Sequence, residues 1–289
     1  MRKNNVFKVR KILTHRFFDR WTIPGVILLV LLGILIGQVA AGSIGTFLSA
    51  SFFGTGNNIP LTGSFIGGAF GSFLILSLYW RLFYPQFHGC LPGVRIRYWL
   101  IFAAAASLVL LAVAVLMILV QKPAIGVPPL VNLSAALMAG CLEEALYRGI
   151  AISYLMRQWP GERGILPSMV TSSAIFALAH FMNILNGASF GVTVYQVFCA
   201  FCIGMFLSAV FLRCGSIWPC VIIHTLNDVW AFISVDVYAA GGTYSGNAEL
   251  VASDYIFIVF LILATAFAVY MVRQKFRGEI AVLWKNKWS

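Results

Sequence analysis

Residues 130–149 read Leu-Val-Asn-Leu-Ser-Ala-Ala-Leu-Met-Ala-Gly-Cys-Leu-Glu-Glu-Ala-Leu-Tyr-Arg-Gly. Length and Leu/Ala content make this stretch a helix. No charge interrupts it until Glu143, Glu144 and Arg148 arrive together, and Asp228 lies in a second apolar run further on. At the centre of a bilayer an unpaired Asp or Arg costs ~2.5–3.5 kcal/mol on insertion scales. Four such groups would cost on the order of 10 kcal/mol, as much as the whole stability of an ordinary domain. A chain carries that load only where the charges are paired, wetted or used. A functional site inside the membrane is therefore the expectation.

The composition agrees with a membrane setting. Of 289 residues, 61% are hydrophobic and 10% charged, with mean hydropathy +0.91. Soluble domains carry about 25% charged residues. No long polar linker, low-complexity tract or internal repeat divides the chain. Apolar runs near 24–50, 61–84, 98–121, 128–154, 166–186, 192–212, 216–235 and 254–273 predict an all-α, polytopic bundle of about eight transmembrane helices. The first run continues well past the length of a signal core, so an uncleaved anchor is expected.

The net charge of +11 does not call for nucleic acid, because the basic residues are sorted by position. With eight spans, all but Lys122 and Arg148 of the 20 Lys and Arg fall on one side. The positive-inside rule then places both termini in the cytoplasm. Both tails mix basic and apolar residues, including Phe276, Ile280, Leu283, Trp284 and Trp288 at the C-terminal end. They are expected on the inner leaflet, against anionic membrane lipids. The organisation reads as a basic interfacial tail (1–23), N-terminal transmembrane helices (24–127), a core carrying the chemistry (128–235), and an outer loop, last span and basic tail (236–289). The six cysteines lie within or near the spans and form no evident extracellular bridge. Cys199 and Cys202, spaced C-x-x-C, read as packing, and Cys141 as a thiol buried in hydrocarbon rather than a nucleophile.

Glu144 and Arg148 are spaced i, i+4, share a helix face and can pair. Glu143 points about 100° away and lacks that partner. Adjacent glutamates thus divide the labour, one structural and one chemical. Of four histidines, His180 and His224 fall in separate spans, and Asp228 sits one turn after His224. One intramembrane histidine is often an interhelical hydrogen-bonding residue. Two of them, with a glutamate pair on a third helix, are harder to explain as packing. Counting residues from the cytoplasmic ends puts these groups about 12–21 Å deep at 1.5 Å per residue.

The three patterns Glu143-Glu144-x-x-x-Arg148, Phe176-x-x-x-His180 and His224-x-x-x-Asp228 resemble the motifs of the CAAX-protease and bacteriocin-processing (CPBP or Abi) family of intramembrane proteases. The resemblance covers about residues 128–235. It implies hydrolysis of a peptide bond in a membrane-associated or lipidated substrate: a prenylated C-terminus, a leader peptide or a pheromone. It further implies that Glu143 polarises the attacking water, that His180 helps to hold it, and that His224 and Asp228 stabilise the tetrahedral oxyanion. Glu144 and Arg148 would support the architecture. An ionised Asp228 cannot donate a hydrogen bond, so it would act protonated or by orienting His224. No cofactor is required by this scheme. Glu143, His180 and His224 could instead hold zinc, but the compact H-E-x-x-H signature is missing, and a metal-free glutamate base is the expectation.

Two other classes compete. A proton-coupled transporter would use the same residues as a relay, but calls for matched repeats with broken helices. A non-catalytic immunity protein on the same fold would have no need to keep intramembrane charges. The expected setting is a bacterial plasma membrane. Oligomeric state is not legible.

Overall fold

The computed structural model describes residues 20–48, 59–84, 86–90, 96–121, 127–232 and 252–288. The basic N-terminal tail up to residue 19, Lys122 and the outer loop at 235–251 lie outside the described residues. Among the described residues ten α-helices follow one another: α1 Thr22–Leu48, α2 Ile59–Phe83, α3 Ile96–Gln121, α4 Leu130–Glu144, α5 Ser153–Gln158, α6 Glu162–Ala179, α7 Phe190–Cys214, α8 Trp218–Ala231, α9 Ala252–Met271 and α10 Gln274–Lys287. A π-helix, Ala145–Ile152, joins α4 to α5, and a 3₁₀ stretch, His180–Asn186, extends α6. No β-strand occurs among the described residues.

Each expected apolar run coincides with a helix, but the helices are unequal. Among the described residues, five stretches are long and apolar enough to cross a membrane: Thr62–Arg81, Leu130–Gln158, Glu162–Asn186, Phe190–Cys214 and Asp254–Met271. The described residues are all-helical, and these long apolar helices mark the chain as an integral membrane protein. The run expected at 216–235 is a helix of 14 residues. At 1.5 Å per residue it covers about 21 Å, less than the ~30 Å hydrocarbon core. Pro219 in its first turn sets its start.

The site is positioned by two close approaches. α4 packs on α8, and a Cβ at Gly140 would strike Thr225 Oγ1 and, at 3.1 Å, the Thr225 backbone nitrogen. Glycine there lets the helix bearing Glu143 and Glu144 lie against the one bearing His224. α6 packs on α7 in the same way, and a Cβ at Gly204 would come within 3.2 Å of the Ser173 and Phe176 side chains. α1 and α2 lean on α4 and the π-helix from the other side, and α9 packs on α7.

The C-terminal tail departs from the expected membrane-surface helix. Ile280, Leu283, Trp284 and Lys287 of α10 are buried in the protein itself. Trp284 Nε1 donates to the Leu212 carbonyl at 3.1 Å, and its ring meets Phe211 edge-on with centroids 5.2 Å apart. The Lys287 carbonyl accepts from the His88 backbone N–H at 2.8 Å. Trp288 completes an aromatic cluster with Trp80, Tyr84 and Phe87. The apolar stripe at helical spacing therefore faces the end of the bundle rather than lipid, because that end leaves a hydrocarbon surface open to it.

Candidate active site

Glu144 is the last residue of α4, and the wide turns of the π-helix begin immediately after it. Such segments recur at functional sites because they shift the register of the side chains beyond them. Arg148, within the π-helix, still reaches back: its Nη1 donates to Glu144 Oε1 at 2.9 Å, and both side chains are fully buried. Nη2 donates to the Gly204 carbonyl at 3.2 Å, and the guanidinium lies 5.0 Å from the centre of the Phe176 ring. The expected i, i+4 pair is thus tied to two neighbouring helices. Ser172 of α6 donates its hydroxyl to the Tyr147 carbonyl at 2.6 Å, holding the π-helix from the side.

His224 of α8 meets this pair. Its Nδ1 lies 2.8 Å from Glu144 Oε1, the same oxygen that Arg148 holds. A carboxylate bridged to an arginine can only accept, so Nδ1 carries the proton and donates. The other ring nitrogen is thereby aimed. Nε2 lies 3.6 Å from Glu143 Oε2 and 3.7 Å from Asp228 Oδ2, within ion-pair range but longer than a direct hydrogen bond. The side chains of Glu143 and Asp228 are 32% and 25% exposed, whereas that of Glu144 is 0%. The two adjacent glutamates therefore have different surroundings: one is sealed between a cation and an imidazole, the other faces an opening.

His180 sits where α6 passes into the 3₁₀ stretch. Its Nδ1 approaches the Phe176 carbonyl at 3.0 Å, one turn back on its own helix, and its ring meets the Phe176 ring edge-on. It lies within electrostatic reach of Glu143, as does His224. Asn227 Nδ2 donates to Asp228 Oδ1 at 3.3 Å. Asp228 does not orient His224 through Nδ1, because Glu144 occupies that nitrogen. Asn183 Nδ2 donates to Gln196 Oε1 at 2.8 Å and so joins the 3₁₀ stretch to α7.

All six residues singled out in the sequence therefore lie around one point where α4, the π-helix, α6 and α8 converge. Among the described residues no three His, Cys, Asp or Glu side chains, Glu143, His180 and His224 included, are grouped as a metal-holding cluster. Sequence reasoning missed Phe176 as a hub. Its ring packs on Tyr147, His180 and His224 and beneath Arg148. Its place at the head of the Phe-x-x-x-His pattern was the available signal. The Gly204 carbonyl and Ser172 carried no signal.

No curated protein and no solved structure gives a match to the chain. Residues 125–230, which contain every residue of the site, match the family model described as Type II CAAX prenyl endopeptidase Rce1-like. That match, on the segment that builds the convergence of glutamates and histidines, supports membership of the CAAX-protease (CPBP) family, whose type II prenyl endopeptidases this segment resembles.

Proposed function

We propose that the protein is an intramembrane endopeptidase that hydrolyses a peptide bond in a membrane-associated or lipidated substrate, using water activated by Glu143. The observation that carries this reading is the Glu143 carboxylate, partly exposed and 3.6 Å from His224 Nε2, beside a second glutamate that is sealed and fixes the other nitrogen of the same ring. Glu143 accepts a proton from the attacking water, and the resulting hydroxide adds to the scissile carbonyl carbon. In its doubly protonated form His224 donates Nδ1–H to Glu144 and Nε2–H to the tetrahedral oxyanion. Protonated Glu143 then passes its proton to the departing amine. His180 holds the water beside Glu143. Asp228 lies beside Nε2, where its carboxylate acts on the same ring rather than as the anchor of Nδ1.

The same reading takes eight membrane crossings, with α8 as the short one, and both termini in the cytoplasm of a bacterial cell. The basic residues at 157, 163, 213 and 273–287 then share one aqueous side. No metal takes part. The decisive variant is Glu143→Gln. It should abolish cleavage of peptides that accumulate in cells lacking the gene, with protein level nearly unchanged. Full biological activity in that variant would remove hydrolysis from the reading. Stoichiometric zinc, lost in chelator together with activity, would overturn the metal-free mechanism.

A further inference from the structure

At the end of the bundle where α10 docks, a cleft of about 480 Å³ opens between the α5–α6 connection and the start of the tail helix. Pro160, Glu162, Arg163, Gln274 and Arg277 line it. Two helices long and apolar enough to cross a membrane end beside it: α6 begins at Glu162 and α9 stops at Met271. A cleft at the point where two such helices leave the hydrocarbon lies at headgroup depth.

The charges in the cleft are unevenly committed. Glu162 is turned toward the tail, with Oε2 accepting from Gln274 Nε2 at 2.8 Å. It also occupies the first turn of α6, where the helix dipole favours an anion. Arg277 is braced by its Nε, which donates to the Val272 carbonyl at 3.0 Å, while Nη1 reaches Gln274 Oε1 at 3.5 Å. Its Nη2 is left over. Among the described residues neither Arg163 nor Arg277 is paired with an acid, and the nearby Glu279 is directed to Arg213 at 3.8 Å.

We propose that this cleft is a binding site for the phosphate of an anionic lipid headgroup, gripped by Arg163 and Arg277, and that the bound lipid fastens the tail helix to the α5–α6 connection. The planar guanidinium fork matches two phosphate oxygens. Basic clusters at the inner surface concentrate anionic lipid. Free phosphate offers the same oxygens, but it lacks the acyl chains that the hydrocarbon beside α9 would receive. The site rests on the membrane setting and is independent of the proteolytic reading.

Full-length protein purified in detergent would be incubated with phosphatidylglycerol or phosphatidylcholine at equal concentration, and the retained lipid counted by native mass spectrometry. A parallel arm would add inorganic phosphate as competitor. Phosphatidylglycerol should be retained in preference to phosphatidylcholine and survive equimolar phosphate. Arg163→Gln and Arg277→Gln should each weaken retention about fivefold, the effect expected of one basic residue at an anionic surface. Arg273→Gln, an exposed cation stacked on Tyr270 outside the cleft, should change it less than twofold. Equal retention by the double variant would overturn the proposal, as would an equal loss in Arg273→Gln, which marks diffuse surface charge. Displacement by equimolar phosphate would show a free-anion site instead. Because Arg277 also braces the Val272 carbonyl, Arg163→Gln alone decides the matter if the Arg277 variant does not fold.

Discussion

Arg148 and Lys287 are the most deeply buried cations among the described residues, and they lie at opposite ends of the problem. Arg148 lies in the candidate site with 0% exposure and meets a carboxylate at 2.9 Å, a carbonyl at 3.2 Å and an aromatic face. Lys287 lies under the tail helix with 3% exposure and meets one carbonyl, that of Gly89, at 2.5 Å. The rings of Phe87 and Trp284 stand 5.8 and 6.0 Å from its ammonium. Among the described residues no carboxylate pairs with it, and the neighbouring Cys90 thiol, pushed up to about 12 by burial, keeps its proton and supplies no countercharge. One burial is compensated by a full opposite charge. The other has a carbonyl and two aromatic rings around it, and gives up its proton more readily than a free lysine. The first arrangement fixes geometry at all pH values of interest, and the second makes docking of the tail depend on pH.

The largest effect is expected from breaking the compensated pair. Arg148→Met leaves Glu144 buried with His224 as its one remaining partner, and should cost about 3–5 kcal/mol. Thermal unfolding in detergent would read it as a large fall in midpoint. Arg148→Met combined with Glu144→Gln removes both charges and should recover much of that loss, since replacing a buried pair is far cheaper than orphaning one member. A double variant no more stable than the single would mean that the π-helix needs the guanidinium for its shape and not for its charge. Glu144→Gln alone should lower the rate about 100-fold once a substrate is in hand, because the amide no longer fixes the tautomer of His224. An unchanged rate would show that His224 is oriented by something else.

A smaller effect is expected at the tail. Trp284→Phe keeps most of the ring packing on Phe211 but gives up the bond to the Leu212 carbonyl. It should cost about 1–2 kcal/mol, measured in the same unfolding experiment. A loss as large as that of Arg148→Met would make the tail as integral as the core and erase the contrast between them.

The contrast also explains what could be read without coordinates. Glu144 and Arg148 are four residues apart, so their pairing is a local property of any helix. The bond from His224 to Glu144 spans 80 residues and depends on α4 and α8 touching at Gly140, which no periodicity announces. The apolar runs located the helices because hydrocarbon demands long uncharged stretches. The same runs concealed how short α8 is, since its flanking residues are equally apolar. The π-helix carries no compositional mark at all. For the tail, the mixture of basic residues with Phe276, Ile280, Leu283, Trp284 and Trp288 predicts an interfacial segment but not what its apolar residues meet. A lipid surface and the end of a helix bundle pose the same demand.

The subtlest expected effect lies in the pH dependence of Lys287. Burial lowers its pKa from the ordinary 10.5 to about 8. Below pH 8 the ammonium is protonated whether the tail is docked or released, so stability does not vary with pH on its account. Between about 8 and 10.5 the released lysine holds its proton while the docked one has given it up. The unfolded state then binds more protons, and stability rises with pH through that window. Across that whole window the gain is on the order of 3 kcal/mol for a fully two-state release. Lys287→Met keeps the aliphatic stem against Phe87 and Trp284 and removes the titrating group. At pH 7 the variant should be at least as stable as the native chain, because no charge has to be buried. As pH is raised to 9.5, the native midpoint should climb relative to that of the variant. Parallel curves at all pH values would mean that the ammonium is hydrated in place, and that its burial differs from that of Arg148 in degree rather than in kind.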